Sequence, residues 1–127
     1  VALAAAACGA PFAAVQLAHP ATDPAPITAA RAAGLDVITH SVFGVAGELD
    51  ALATRLRQDP ALRAELEAHG IAAAPGSEQS TAARLLLQRA RAANPGGVVL
   101  CSMFSERSLQ QNLAGAVTAA EPLPLRF

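Results

Sequence analysis

Residues 34–44 read Gly34-Leu35-Asp36-Val37-Ile38-Thr39-His40-Ser41-Val42-Phe43-Gly44. Val37, Ile38 and Thr39 are β-branched, which suits a pleated strand better than a helix. A strand is therefore expected over residues 35–40. Gly34 ends the segment before it, a helix opened by Asp23 as cap and Pro24 at its first position and running to about Ala33. Further upstream, residues 12–17 form an apolar run interrupted only by Gln16, with Pro11 before it, which reads as another buried strand. Two short strands joined through a helix form a parallel pair. That unit sets the class as α/β.

The chain downstream extends the pattern. Leu49, Leu52 and Leu56 recur at spacings of three and four, so residues 48–58 present one apolar helical face. Asp59-Pro60 opens a second helix by the same capping logic, carrying Leu62 and Leu66 and ending at Gly70. Ser77 is the expected cap of a long helix over 78–93 with Leu85, Leu86 and Leu87 on its buried side. Asn94-Pro95-Gly96-Gly97 breaks that helix, and residues 97–101 follow as a third strand. Ser105 caps a last helix, with Leu109 and Leu113 expected to pack inward. Residues 1–8 read as the end of an alanine-rich helix, and 121–127 as an irregular tail. Strands alternating with longer helices point to one parallel three-stranded sheet with flanking helices, helices on one face, in a single unit over residues 1–127.

Composition narrows the function. The 127 residues include 33 alanines, nine Arg and ten Asp plus Glu, for a formal charge of −1. So balanced a charge argues against a general grip on nucleic acid or on an anionic membrane surface. Lys, Tyr and Trp are absent from the sequence, which removes whole classes of catalytic machinery. Cys8 and Cys101 lack companions at metal-ligand spacing and are expected as free thiols. The apolar opening is too short to span a membrane and carries no basic start, so a cytoplasmic protein is expected. The chain opens on Val1, as expected of a sequence cut from a longer one.

In parallel α/β folds ligands gather at the carboxyl ends of the strands. The polar residues there are Gln16 and His19, then His40 and Ser41, then Ser102 and Ser105. No Gly-rich phosphate fingerprint follows a strand, and no Gly-x-Ser-x-Gly elbow is present, so neither a dinucleotide-binding Rossmann unit nor an α/β-hydrolase is supported.

Three segments together resemble the aldo-keto reductases. Ala14-Val15-Gln16-Leu17-Ala18-His19-Pro20 is similar to that family's sixth barrel strand, which ends in a glutamine that binds the nicotinamide carboxamide. Residues 32–44 resemble the segment in which a hydrophobic strand precedes Tyr-Ser-Pro-Leu-Gly. Residues 98–113 resemble the last strand and the cofactor helix with its Leu-x-x-Asn ending. The resemblance implies the C-terminal part of a (β/α)8 barrel, a partial TIM barrel here, with NADP or NAD as cofactor and a small aldehyde, ketone or sugar carbonyl as substrate. It implies cofactor contacts from Gln16, His40, Ser41, Phe43, Gly44, Ser102, Ser108, Gln111 and Asn112. His40 stands where the family stacks an aromatic ring on the nicotinamide.

The departures matter as much. The family's Asp-Tyr-Lys-His tetrad comes from earlier strands, and this chain has neither Tyr nor Lys. The chain alone is therefore expected to be inactive, with no catalytic residue of its own. Val42 replaces the usual proline. Ser102 and Ser108 stand where many members place a Lys and an Arg against the 2′-phosphate, and Arg107 is one residue away. Neutral hydrogen bonds are about half as strong as charge-assisted ones, so weak discrimination between NADPH and NADH is expected. Two other readings stand beside this one: a non-catalytic partial-barrel module with a binding or structural role, and an unrelated small α/β domain. A sheet cut from a barrel leaves unpaired edges, so self-association of the isolated chain is expected.

Overall fold

In the computed structural model the described residues are 12–19, 23–43, 47–102 and 105–117. Their elements run β1 (Ala14–Ala18), α1 (Ala25–Ala32), β2 (Asp36–His40), α2 (Glu48–Gln58), α3 (Pro60–Ala68), α4 (Glu78–Ala93), β3 (Val98–Val99) and α5 (Glu106–Val117). The described residues are mixed α/β with a three-stranded sheet. The chain divides into two units, residues 1–42 with 90–102 and residues 43–89 with 103–127.

In the first unit the strands lie in the order β1-β2-β3, and both pairings are parallel. Val15 pairs with Val37, Gln16 with Ile38 and Ala18 with His40, while Ile38 also pairs with Val98. Strand alternation sends Val15, Leu17 and Val37 to one face, where they pack with Ile27 and Ala30 of α1 and with Ala93. Gln16, Ile38, His40 and Val98 take the other face. α1 stops where the sequence predicts: Gly34 adopts φ +77°, its N–H reaches the Arg31 carbonyl, and the Leu35 N–H reaches that of Ala30. This paired bonding closes a helix only around a left-handed residue, which glycine adopts without a Cβ penalty.

β3 is shorter than expected, two residues in place of five, although the Leu100 N–H still donates to the Thr39 carbonyl. Its start is set by Asn94, a buried residue of the turn after α4. The Asn94 amide donates to the Val37 carbonyl at 3.1 Å and the Val98 carbonyl at 3.3 Å. The Arg31 guanidinium closes the cluster on Asn94 Oδ1 at 2.7 Å and on the Pro95 carbonyl.

In the second unit, Leu52 and Leu56 of α2, Leu62 and Leu66 of α3, Ile71, and Leu85 and Leu86 of α4 make one buried cluster. Asp59 caps α3 as its sequence requires, its carboxylate accepting from the Leu62 N–H at 3.0 Å. Glu48 and Arg89 pair across α2 and α4. Two expectations are corrected. Ser77 does not cap α4 through its side chain; its hydroxyl donates to the Ala74 carbonyl at 2.6 Å. Leu109 and Leu113 do not pack inward but are exposed on α5. Among the described residues no helix is long and apolar enough to cross a membrane. The readings for residues 1–8 and 121–127 lie outside the described residues.

Candidate functional site

The register places the polar residues expected at the sheet's carboxyl end, and it moves Gln16 back from that end. Gln16 is the middle residue of β1 and points to the open face. Among the described residues its amide has no hydrogen-bond partner, so both ends are available. His40 ends β2 on the same face, opposite Ala18 and diagonal to Gln16. Just beyond β1, the backbone N–H of buried His19 donates to the His40 carbonyl at 2.7 Å.

Ser41 follows with φ +60°, the one non-glycine residue in the left-handed region among the described residues. That conformation costs a residue with a Cβ about 1–2 kcal/mol. The half-buried His40 Nδ1 lies 2.9 Å from Ser41 Oγ. The hydroxyl donates when the ring proton is on Nε2 and accepts when it is on Nδ1. The pair thus fixes both the serine side chain and the plane of the imidazole. Val42 next in line is buried, so its side chain does not line the site. Ser102 is exposed, three residues past β3, after a half-buried Cys101. The Cys101 thiol is free, and burial pushes its pKa up.

The structure therefore sets Gln16 and His40 on one face of the sheet, joins His40 to Ser41, and leaves Ser102 past β3 in the same unit. Phe43, Ser108, Gln111 and Asn112 belong to the second unit, and Gly44 lies outside the described residues. Within that unit Ser108 is occupied locally. Its hydroxyl lies 2.9 Å from Ser105 Oγ, and its N–H donates to the same oxygen at 3.1 Å, so the expected Ser105 cap of α5 is present. Gln111 and Arg107 are exposed and Asn112 is half-buried.

A surface hollow lies elsewhere. It measures about 630 Å³ and is lined by Asp50, Thr54, Arg55 and Asp59 among others. Asp50 already accepts from Gln79, and Arg55 faces Asp59, so these polar side chains are engaged within the fold. Among the described residues no three His, Cys, Asp or Glu side chains gather as metal ligands. Sequence reasoning missed the Arg31–Asn94 cluster. The available signal was a carboxamide directly after an apolar helix and before Pro-Gly-Gly, a place where a buried amide can bond strand ends. No protein-family model matches the chain, and neither a curated protein nor a solved structure matches it.

Proposed function

We propose that the chain is the C-terminal, nucleotide-side portion of an NAD(P)H-dependent oxidoreductase of the aldo-keto reductase kind, acting in the cytoplasm on a small aldehyde, ketone or sugar carbonyl. One observation carries the reading. A parallel sheet is ordinarily covered on both faces, yet here one face is packed by α1 while Ile38, Val98 and Leu100 on the other are left partly or largely open. A sheet of that kind is what remains of a barrel when its other strands are removed. The free Cys101 thiol suits a reducing compartment.

The residues present fit a nicotinamide cofactor in part. The unengaged Gln16 amide offers a donor and an acceptor to a carboxamide. His40, its ring plane held by Ser41, offers a flat face for stacking. Left-handed Ser41 turns the chain so that successive N–H groups can face an anion. The fit is poorer at the 2′-phosphate, since Ser108 is committed to the cap of α5 and Ser102 is neutral. When bound, the cofactor supplies a hydride to the carbonyl carbon. The chain's residues would hold and orient it; the proton donor would come from preceding βα units, because the chain has no Tyr or Lys.

The test is a fluorescence titration of the chain with NADPH and with NADH. Both are expected to bind with dissociation constants within about tenfold of each other, a difference of about 1.4 kcal/mol. Gln16→Ala is expected to weaken both equally. Absence of saturable binding of either nucleotide refutes the reading, and a hundredfold preference for NADPH refutes the neutral 2′-phosphate site.

A further inference from the structure

We infer that the free edge of β1 is a self-complementary pairing surface, and that two copies of this chain associate through it as an antiparallel β1–β1 dimer. Among the described residues β1 has a strand neighbour on one side only. The Asp36 N–H donates to the Ala13 carbonyl, and the His19 N–H to the His40 carbonyl. Residues 13 and 19 therefore turn their backbone polar groups toward β2. Strand alternation then turns those of Ala14, Gln16 and Ala18 outward. All three are exposed. Each copy thus presents three N–H and three C=O groups in a row.

The second copy is the occupant these residues favour. The stretch Phe12 to Ala18 carries no charge and no proline, so none of the usual devices blunts this edge. β3, at the opposite edge, has only two strand residues and follows Pro95-Gly96-Gly97. A two-fold axis through Gln16 sets Gln16 against Gln16, Ala14 against Ala18 and Val15 against Leu17. The three outward residues become the hydrogen-bonded positions of an antiparallel ladder, which exchanges two bonds at each such pair. The Gln16 side chains meet on the open face, where one carboxamide donates to the other. Val15 and Leu17 meet on the face packed by α1. A five-residue edge is about 17 Å long, short of a standard interface of about 800 Å² per partner. The dimer is accordingly weak and dissociates on dilution.

The inference does not rest on the cofactor reading, although both use Gln16, and it is tested on the whole 127-residue chain by sedimentation equilibrium. A monomer–dimer equilibrium is expected. Gln16→Lys and Gln16→Glu each set like charges across the axis and weaken the dimer about tenfold, or about 1.4 kcal/mol, while an equimolar mixture of the two regains it. Gln16→Pro removes an outward N–H without touching the ladder to β2 and abolishes association. In a Cys8→Ser, Cys101→Ser background, Gln16→Cys cross-links on oxidation, because hydrogen-bonded antiparallel partners lie about 5.5 Å apart at Cα, within disulfide reach. A monomer at every concentration, association indifferent to Gln16→Pro, or failure to cross-link overturns the inference. Because Gln16 is also the proposed carboxamide contact, these variants are read by association alone, and nucleotide binding is judged on the native chain. A longer chain that adds a strand at this edge is expected to be monomeric.

Discussion

Replacing Asn94 by Ala should destabilise the protein more than any surface substitution of similar size. Asn94 is 2% exposed, and its side chain makes three hydrogen bonds, to Arg31, to the Val37 carbonyl and to the Val98 carbonyl. A charge-assisted bond contributes about 1.5–3 kcal/mol and a neutral one about 0.5–1.5. Arg31 is exposed and regains water when released, so its bond counts at the low end. The sum is about 3 kcal/mol, a large share of the 5–15 kcal/mol by which such domains are stable. In urea, with a slope near 1.5 kcal/mol/M, the midpoint falls by about 2 M. Gly97 provides the cross-check. A Cβ at residue 97 would stand 2.6 Å from Asn94 Cγ and closer still to both amide atoms, so Gly97→Ala displaces the same side chain. Gly97→Ala should therefore cost much less in the Asn94→Ala background than in the native chain. A midpoint shift below about 0.5 M for Asn94→Ala, or equal costs of Gly97→Ala in the two backgrounds, refutes the assignment of Asn94 as the residue that seats β3.

Other predictions are simpler. Leu66→Ala removes a side chain with no exposure and should cost about 2–5 kcal/mol, whereas Leu113→Ala on exposed α5 should cost under about 0.5, as read by denaturant midpoints. The Glu78 carboxyl is held below its ordinary pKa, first by its own backbone N–H and then by that of Gly76. A depressed carboxylate contributes stability above its unfolded pKa and loses it as pH falls through the folded one. The native chain should thus lose slightly more stability on acidification than Glu78→Gln, and parallel acid profiles of the two would disprove the contribution. Burial raises the Cys101 pKa, so in a Cys8→Ser background its alkylation at neutral pH should be slower than that of a free cysteine; an equal or faster rate contradicts that.

How much was legible depended on range. The ends of α1 and α3 were legible because Gly34 and Gly70 act within six residues, each closing its helix by the same paired bonding. The leucine spacing of α2, α3 and α4 likewise named the second unit's core. Gln16 and His40 could be set on one face because strand alternation and parallel pairing are rules of local geometry. What escaped was long-range. Asn94 meets Arg31 and Val37 from 63 and 57 positions away, and its own neighbours say only that a helix ends. The period of Leu109 and Leu113 marks an apolar stripe without saying whether anything covers it. For Ser77, the preceding turn offered the Ala74 carbonyl as a competing partner, and the hydroxyl took it.

The sheet's open face and its free edge make separable demands. Val98 and Leu100 are 53% and 45% exposed. Fully burying a side chain of this kind stabilises by about 1.5–3 kcal/mol, so covering these half-open ones would add about 2 kcal/mol in all. Pairing β1 with a second β1 satisfies backbone groups at the edge but leaves Val98 and Leu100, two strands away, as open as before. Restoring the strands of the proposed barrel would take up the edge and the face at once. A dye that fluoresces on apolar surface separates the two. Its signal should persist when the isolated chain dimerises and be lost when preceding βα units are supplied on the same polypeptide. If dimerisation alone extinguishes the signal, the second copy lies across the sheet rather than beside it, and the two-fold axis through Gln16 is wrong.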